Sequence, residues 1–568
     1  MIIAAGVALT ACQPTEKQRL KFNPPPPPVE ERGLVSAADP RAAEAGAKML
    51  RMGGSATDAA IATMLALTVV EPQSSGIGGG GFFVHATPDG TVTTFDGRET
   101  APSAAGPDWF LGEDGNPLPY REAVLTGLSI GVPGNIRLAE VAHQEHGILS
   151  WSDLVEPAVK LARDGFEITP RFREYLERFK DRGGASAEGK ALFYDEAGEP
   201  KPVGTLVRNP KLAATLLKLA DQGPYSFYDG SFASDLAAHA AEATPRPAGM
   251  STEDVTSYVA KPRDPVCGIY RVYRICGMGP PSSGATTVIA ILKQLEPFDL
   301  TAAGPASPTS WHLFAESQRL AYADRERYLA DADYVPVPVD WLIQPDYLAT
   351  RAAMISATST IASPQPGIAP QTALAPPDGD EPPENGTSHF VAIDSAGNAV
   401  SYTSTIEGPF GSGLMFGGFY LNNELTDFSM TPSDNGRAVA NRVEGGKRPR
   451  SSMSPTVVYG PDGQMIYVLG AAGGGTIPVQ VAKTLIGLID FKLSLDEALA
   501  LPQLYSPGDV VFIEEGSLLE TMAADLKALG HADVMARQLP LKANAAQWTP
   551  DGWIGAADPR SEGASISQ

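Results

Sequence analysis

The sequence predicts a layered α+β fold in which antiparallel hairpins are flanked by helices. Three observations carry the prediction. Residues 38–70, and most of 130–360, read as helices interrupted at Gly- and Pro-containing stretches. After Thr387 the character changes: polar and apolar residues alternate in short runs separated by turn sequences. Those runs pair as hairpins, and antiparallel strands bounded by helical sequence form layers.

The first segment is residues 1–32. An apolar run ends in Leu9-Thr10-Ala11-Cys12 and then turns polar. That resembles a bacterial lipoprotein signal with Cys12 as the lipidated residue, although the run is short and lacks a basic start. The plainer reading is a frayed apolar terminus. The five prolines at 24–28 make a stiff, extended spacer. No later apolar run reaches the roughly 20 residues that a membrane span needs; "AAIATMLALTVV" (59–70) fits a buried helix. The expected address is periplasmic, with a lipid anchor at Cys12.

Within 38–70, Gly53 and Gly54 end one helix, and Ser55 or Thr57 caps the next. Gly76, Gly78 and Gly81 match G-x-G-x-x-G, but a helix precedes them and the strand "FFVHA" follows. A dinucleotide fingerprint needs the reverse order. These glycines instead let backbone approach backbone or ligand closely. "FFVHA" and "TVTTF" flank the turn "TPDG" as a hairpin that leads to Arg98. His143 and His146, in "EVAHQEHG", have a spacing that suits a metal; the plainer reading is a polar helix end stopped by Gly147. Cys267 and Cys276 flank a short hairpin, either bridged by a disulfide or packed as small buried hydrophobes. They and Cys12 are the only three cysteines, with no C-x-x-C pair for zinc. A net charge of -23 over 568 residues excludes a nucleic-acid partner. No cofactor or metal is expected.

Residues 364–386 hold seven prolines and few large apolar residues. This is an exposed linker of the kind where cleavage is tolerated. It runs without transition into "TSHFVAI". That strand and "AVSYTST" flank the turn "DSAGN", and a hairpin centred on Ala396 places Thr387 opposite Thr405. A second hairpin, "MSPTVVY" and "QMIYVLG", turns between Pro461 and Asp462 and sets Ser451 and Ser452 opposite Ala472 and Ala471, beside Gly473 and Gly474.

A threonine hydroxyl needs a base, and a chain-terminal threonine carries one in its α-amine, ordinarily near pKa 8. The linker must therefore be cut before Thr387. Gly386 offers an unhindered carbonyl that Thr387 Oγ can attack, so one hydroxyl serves both self-cleavage and catalysis. Thr405 can orient that hydroxyl. Gly473 and Gly474 can present bare N–H groups to an oxyanion; losing such a donor costs about 3 kcal/mol of barrier. Arg98 can clamp a carboxylate in two-pronged fashion, and Ser451 and Ser452 can add donors. Glu424 and Asp427 can hold an ammonium, so the substrate is amino-acid-like. Taken singly, each of these residues has a structural reading as turn, surface charge or loop. The joint pattern overturns those readings.

That pattern resembles the γ-glutamyltranspeptidases, members of the N-terminal-nucleophile hydrolases. The resemblance runs from about Gly33 to Arg560, through "GGSATDAAIA", "GIGGGGFFV", "DGRETAP", "PPSSG", "AYADRERYLAD", "LNNELTDFS", "KRPRSSMSPT", "GAAGGG" and "AADPR". It implies a four-layer αββα sandwich made of a large subunit, 33–386, and a small one, 387–568, from one precursor. It implies Thr387 as processing site and nucleophile, Thr405 as its hydroxyl partner, and Gly473 and Gly474 as oxyanion hole. Arg98, Ser451 and Ser452 match the holders of the glutamyl α-carboxylate; Glu424 and Asp427, with Glu407, match those of the α-amine. The implied donors are glutathione or related γ-glutamyl amides, and the implied acceptors are water, amino acids or peptides. Ser388 departs from the threonine common after the nucleophile, and 430–446 corresponds to a lid that is shortened here, which would admit larger substrates. Two other readings are weighed: a glutaryl or cephalosporin acylase with the same nucleophile, and a surface lipoprotein that binds amino acids without catalysis.

Overall fold

The computed structural model describes residues 33–370 and 386–568. The Cys12 segment, the proline spacer and the middle of the Pro-rich linker lie outside the described residues.

The helix Pro40–Arg51 is followed by Ala56–Val70. Of the two expected caps, Ser55 serves: its hydroxyl accepts from Asp58 N while the Asp58 carboxylate takes Ser55 N. Thr57 lies inside the helix. Ala56–Val70 is apolar around nearly its whole circumference, and every one of its residues is buried, as a helix without a polar face must be.

Two antiparallel sheets form the centre. The first has the order 564–567, 34–37, 388–393, 399–405, 80–86, 92–96, 261–263. The second runs 552–557, 542–549, 465–472, 456–459, 273–277, 266–270. Alternation along each strand sorts side chains to two faces. On Ser388–Ile393, Val391 and Ile393 meet Val457, Met465 and Val468 of the second sheet. Phe390 and Ala392 point outward, into the core shared with the helices at 40–51, 56–70 and 151–164. The second sheet turns Val458, Leu469 and Ala545 toward the helices at 284–295, 308–328 and 477–489. The result is the four-layer αββα sandwich that the resemblance implied.

The first hairpin has the predicted register, with Ala399 opposite Ile393 and Ser404 opposite Ser388. The second is displaced by two residues. Thr456 pairs with Leu469, and a bulge lies between Val458 and Tyr459, because Gly460 N closes on Gln464 O at 2.8 Å and lengthens the turn. Ala471 and Ala472 pair instead with Ala543 and Lys542. Ser451 and Ser452 therefore do not face these alanines; Ser451 bridges to Ser282.

The glycine run lies against backbone, as expected: a Cβ on Gly79 would come within 1.9 Å of Thr405 O. Cys267 and Cys276 sit opposite one another and are disulfide-bonded. His143 and His146 diverge. The first meets Leu149 O at 2.9 Å; the second meets Thr93 Oγ1 at 3.3 Å and stacks on His85.

Candidate active site

Thr387 stands at the head of the strand Ser388–Ile393, in the middle of the first sheet. Its Oγ1 donates to Thr405 Oγ1 at 3.1 Å, and Thr405 Oγ1 also accepts from Glu407 N at 2.8 Å. Thr387 N donates to Ser74 O at 3.0 Å. Its φ is +93°, outside the regions open to a β-branched residue. Such a conformation stores about 1–3 kcal/mol, here beside the peptide bond that joins it to Gly386. That neighbour has to be glycine, since a Cβ at 386 would fall 1.6 Å from Glu407 O.

Thr387 and Gly386 line one small cavity with Gly473, Lys542, Ser74 and Arg171. Gly473 and Gly474 follow the strand Met465–Ala472 and both take positive φ, 127° and 59°. Neither N–H has an acceptor among the described residues. The cavity shares Arg171, Tyr175 and Pro540 with a groove of about 720 Å³ lined further by Arg178, Glu515 and Arg537.

From Thr405 a polar chain leads to the expected holders. Glu407, itself at φ +69°, receives Asn423 Nδ2 on its Oε2, with Tyr120 OH at 3.5 Å. Asn423 adjoins Glu424 at the short helical turn Glu424–Asp427. Arg98 then closes the set. Its guanidinium is ion-paired to both Glu424 and Asp427 and donates to Arg450 O at 2.8 Å and, through Nε, to Pro449 O at 3.2 Å. The cation and the anions expected to hold opposite ends of a substrate thus hold each other. A zwitterionic α-carbon group offers each of them a partner of the sign it already has.

The carbonyl of Arg450, which Arg98 engages, leads directly into Ser451 and Ser452. Ser452 Oγ accepts from Arg325 at 2.7 Å, and Ser451 Oγ accepts from Met453 N at 3.2 Å. The serines thus arrive on the segment that enters the second sheet, beside Arg98.

Several residues of this site were not singled out in the sequence. Glu99 is completely buried, and among the described residues its carboxylate oxygens have no well-formed hydrogen bond; their polar neighbours are its own backbone N–H and the Glu424 carboxyl. Burial pushes Glu99 up to about 7, against the pull of Arg98, and burial also raises Glu424 well above the usual carboxylate range. Its adjacency to Arg98 in "GRET" was the available signal. Asn423 and Tyr120 position Glu407; Asn423 was visible as the neighbour of Glu424, whereas nothing local marks Tyr120. A buried pair, Lys542 and Glu71, lies 3.0 Å apart behind Thr387. A single lysine in the apolar run "LPLKANAAQW" was its sequence trace.

A family model described as gamma-glutamyltranspeptidase matches residues 42–567. The glutathione hydrolase proenzyme of Bacillus subtilis (strain 168) is 35% identical over 512 residues, 89% of this chain and 85% of that one. The acylase ACY 1 proenzyme of Pseudomonas sp. (strain V22) is 32% identical over 553 residues, 95% of this chain and 94% of that one. Among solved structures, the cephalosporin acylase from Bacillus halodurans superposes with a TM-score of 0.82 at 25% identity, covering 97% of this chain and 99% of that one.

Proposed function

The chain belongs to the γ-glutamyltranspeptidase family, and on that premise we propose that it is a self-cleaving γ-glutamyltransferase and glutathione hydrolase whose nucleophile is Thr387. One observation carries the assignment of the nucleophile. Thr387 Oγ1 lies 3.1 Å from a hydroxyl partner, in a cavity shared with Gly473, at the peptide that ends the proline-rich linker.

The steps follow from the groups present. In the precursor, Thr387 Oγ adds to the Gly386 carbonyl; the C–N bond breaks, and its nitrogen takes the hydroxyl proton. That step already frees the α-amine; hydrolysis of the ester then releases Gly386 as a carboxylate and restores the Thr387 hydroxyl. In the mature enzyme that amine accepts the Oγ proton as Oγ attacks the γ-carbonyl of a glutamyl amide. Gly473 and Gly474 N–H stabilise the oxyanion. Arg98, Ser451 and Ser452 hold the α-carboxylate, and Glu407, Glu424 and Asp427 hold the α-amine. Water or an amino-acid or peptide acceptor then takes the acyl group. The strained φ of Thr387 supports this reading, because breaking the adjacent peptide relieves it. The Leu9–Cys12 segment supports a periplasmic, lipid-anchored address.

The purified protein should run as two fragments whose masses meet at 386/387, and Thr387→Ala should give one uncut chain. An uncut unmutated protein would overturn the proposal. The acylase relatives favour a second reading with glutaryl amides as substrate. Rates on a γ-glutamyl anilide and a glutaryl anilide separate the two: faster turnover of the former is expected, because a glutaryl group has no amine for Glu407, Glu424 and Asp427.

A further inference from the structure

A charged lysine has been built in behind the candidate nucleophile, where the chemistry above makes no use of one. Lys542 begins the strand Lys542–Thr549 and is buried. Its Nζ lies 3.0 Å from Glu71 Oε2, 3.2 Å from Ser388 Oγ and 3.3 Å from Ser74 Oγ. Three oxygens thus take the three N–H directions of the ammonium. Ser388 Oγ donates to the same Glu71 oxygen at 2.7 Å. The side chain of Ser74 meets Lys542, and its carbonyl accepts from Thr387 N. The lysine is therefore one residue away from the nucleophile by two routes, through Ser74 and through Ser388, and it lines the cavity that holds Thr387 and Gly473.

Burying a pair of charges rarely gains stability over an apolar pair of the same volume, so the pair calls for a reason beyond packing. Resting on the reading of Thr387 as an N-terminal nucleophile, we propose that Lys542 is a positioning residue whose positive charge, balanced by Glu71, keeps the Thr387 α-amine neutral and able to accept the Oγ proton at neutral pH. The charged and titratable groups around that nitrogen are few. Lys542 comes from its strand, Glu71 from the end of the helix Ala56–Val70, and Arg171 and Tyr175 from the helix Pro170–Arg178. Glu407 follows the strand Ala399–Thr405 and directs its carboxylate to Asn423. Lys542 and Arg171 line the cavity, whereas Glu71 sits behind Lys542, and from farther out Asp39 acts on Lys542, Glu562 on Arg171 and Arg41 on Glu71. A second ammonium forming there is repelled, so its proton is released more readily than from an ordinary α-amine. During turnover the proton leaves Thr387 Oγ for the amine as the Oγ–C bond forms. It passes to the leaving nitrogen as the C–N bond breaks.

The test is the pH profile of kcat/KM on a γ-glutamyl anilide for wild type, Lys542→Met, Glu71→Gln and the double variant. The acid limb should move up by about one pH unit in Lys542→Met, which lowers activity about tenfold at pH values on that limb; the position of the limb is the readout. It should move down in Glu71→Gln and return toward wild type in the double variant. A merely structural pair would lower the plateau and leave the limb where it was; that result overturns the proposal. Should the lysine variant fail to fold or to cleave, the amine is read in wild type by the pH dependence of its carbamylation with cyanate, followed by the mass of the small fragment. A midpoint below the ordinary range of about 7.7–8.0 supports the proposal, and one within or above that range overturns it. Absence of cleavage in wild type would strike the Thr387 reading itself, and it shows as one band before any profile is measured.

Discussion

Thr387 and Thr405 meet through their hydroxyls, and valine at 405 keeps the side-chain shape while removing the oxygen that accepts from both Thr387 Oγ1 and Glu407 N. Thr405→Val should slow both self-cleavage and turnover by about 10- to 100-fold, the equivalent of about 1.5–3 kcal/mol for a buried hydrogen bond. Fragment appearance over time and initial rates would show it; unchanged rates would mean that the 3.1 Å contact has no part in the chemistry. Glu99 supplies a pH dependence. Burial raises it to about 7, so between about 4.5 and 7 the folded chain keeps a proton that the unfolded chain has lost. Stability therefore falls as pH rises through that window. Glu99→Gln cannot ionise and should escape the loss. The Tm difference between variant and wild type should grow in the variant's favour from pH 5 to pH 8; a constant difference would show that Glu99 carries no such proton.

The two hairpins of the C-terminal part show how far local sequence reaches. Both strands flanking "DSAGN" are buried on both faces, so a slip of one residue would exchange every side chain between two distinct cores, and the register is firm. The second hairpin escaped because its bulge at Val458/Tyr459 is set by a turn hydrogen bond that the alternation does not reveal. At the far edge of that sheet the Cys267–Cys276 bond closes a short loop between paired strands. Replacing both cysteines by serine should cost about 2 kcal/mol, read as a lower denaturation midpoint. Turnover at 25 °C should be unaffected, because the edge hairpin contributes no residue to the candidate site. A loss of turnover without loss of stability would contradict this placement.

Across the whole molecule, the cut proposed at Thr387 divides both sheets. In the first, 388–393 pairs on one side with 34–37, and 399–405 pairs with 80–86; in the second, 456–459 pairs with 273–277. The halves are thus joined by strand ladders and a shared core rather than by a surface patch. They should co-elute as one species after cleavage and separate only in denaturant; dissociation in native buffer would contradict the shared sheets. Acid should act on the whole. His85 and His389 are held down to about 3, and His531 to about 4, each chiefly by burial. Unfolding lets them bind protons from about pH 6.5 downward, so stability should fall as pH drops from 6.5 toward 4.

Much of the candidate site was legible from the chain because its logic is local. A proline-rich linker sequence, a strand starting in threonine, a turn that sets Thr405 opposite it, and a glycine pair at the end of another strand all lie within short stretches. The partnerships were not legible. Arg98 and Glu424 are 326 residues apart, and Lys542 and Glu71 are 471 apart. Nothing in the composition around a charge names which distant opposite charge will share its burial. That choice was made when the two sheets closed face to face, because a charge taken out of water must take whichever opposite charge the packing brings to it.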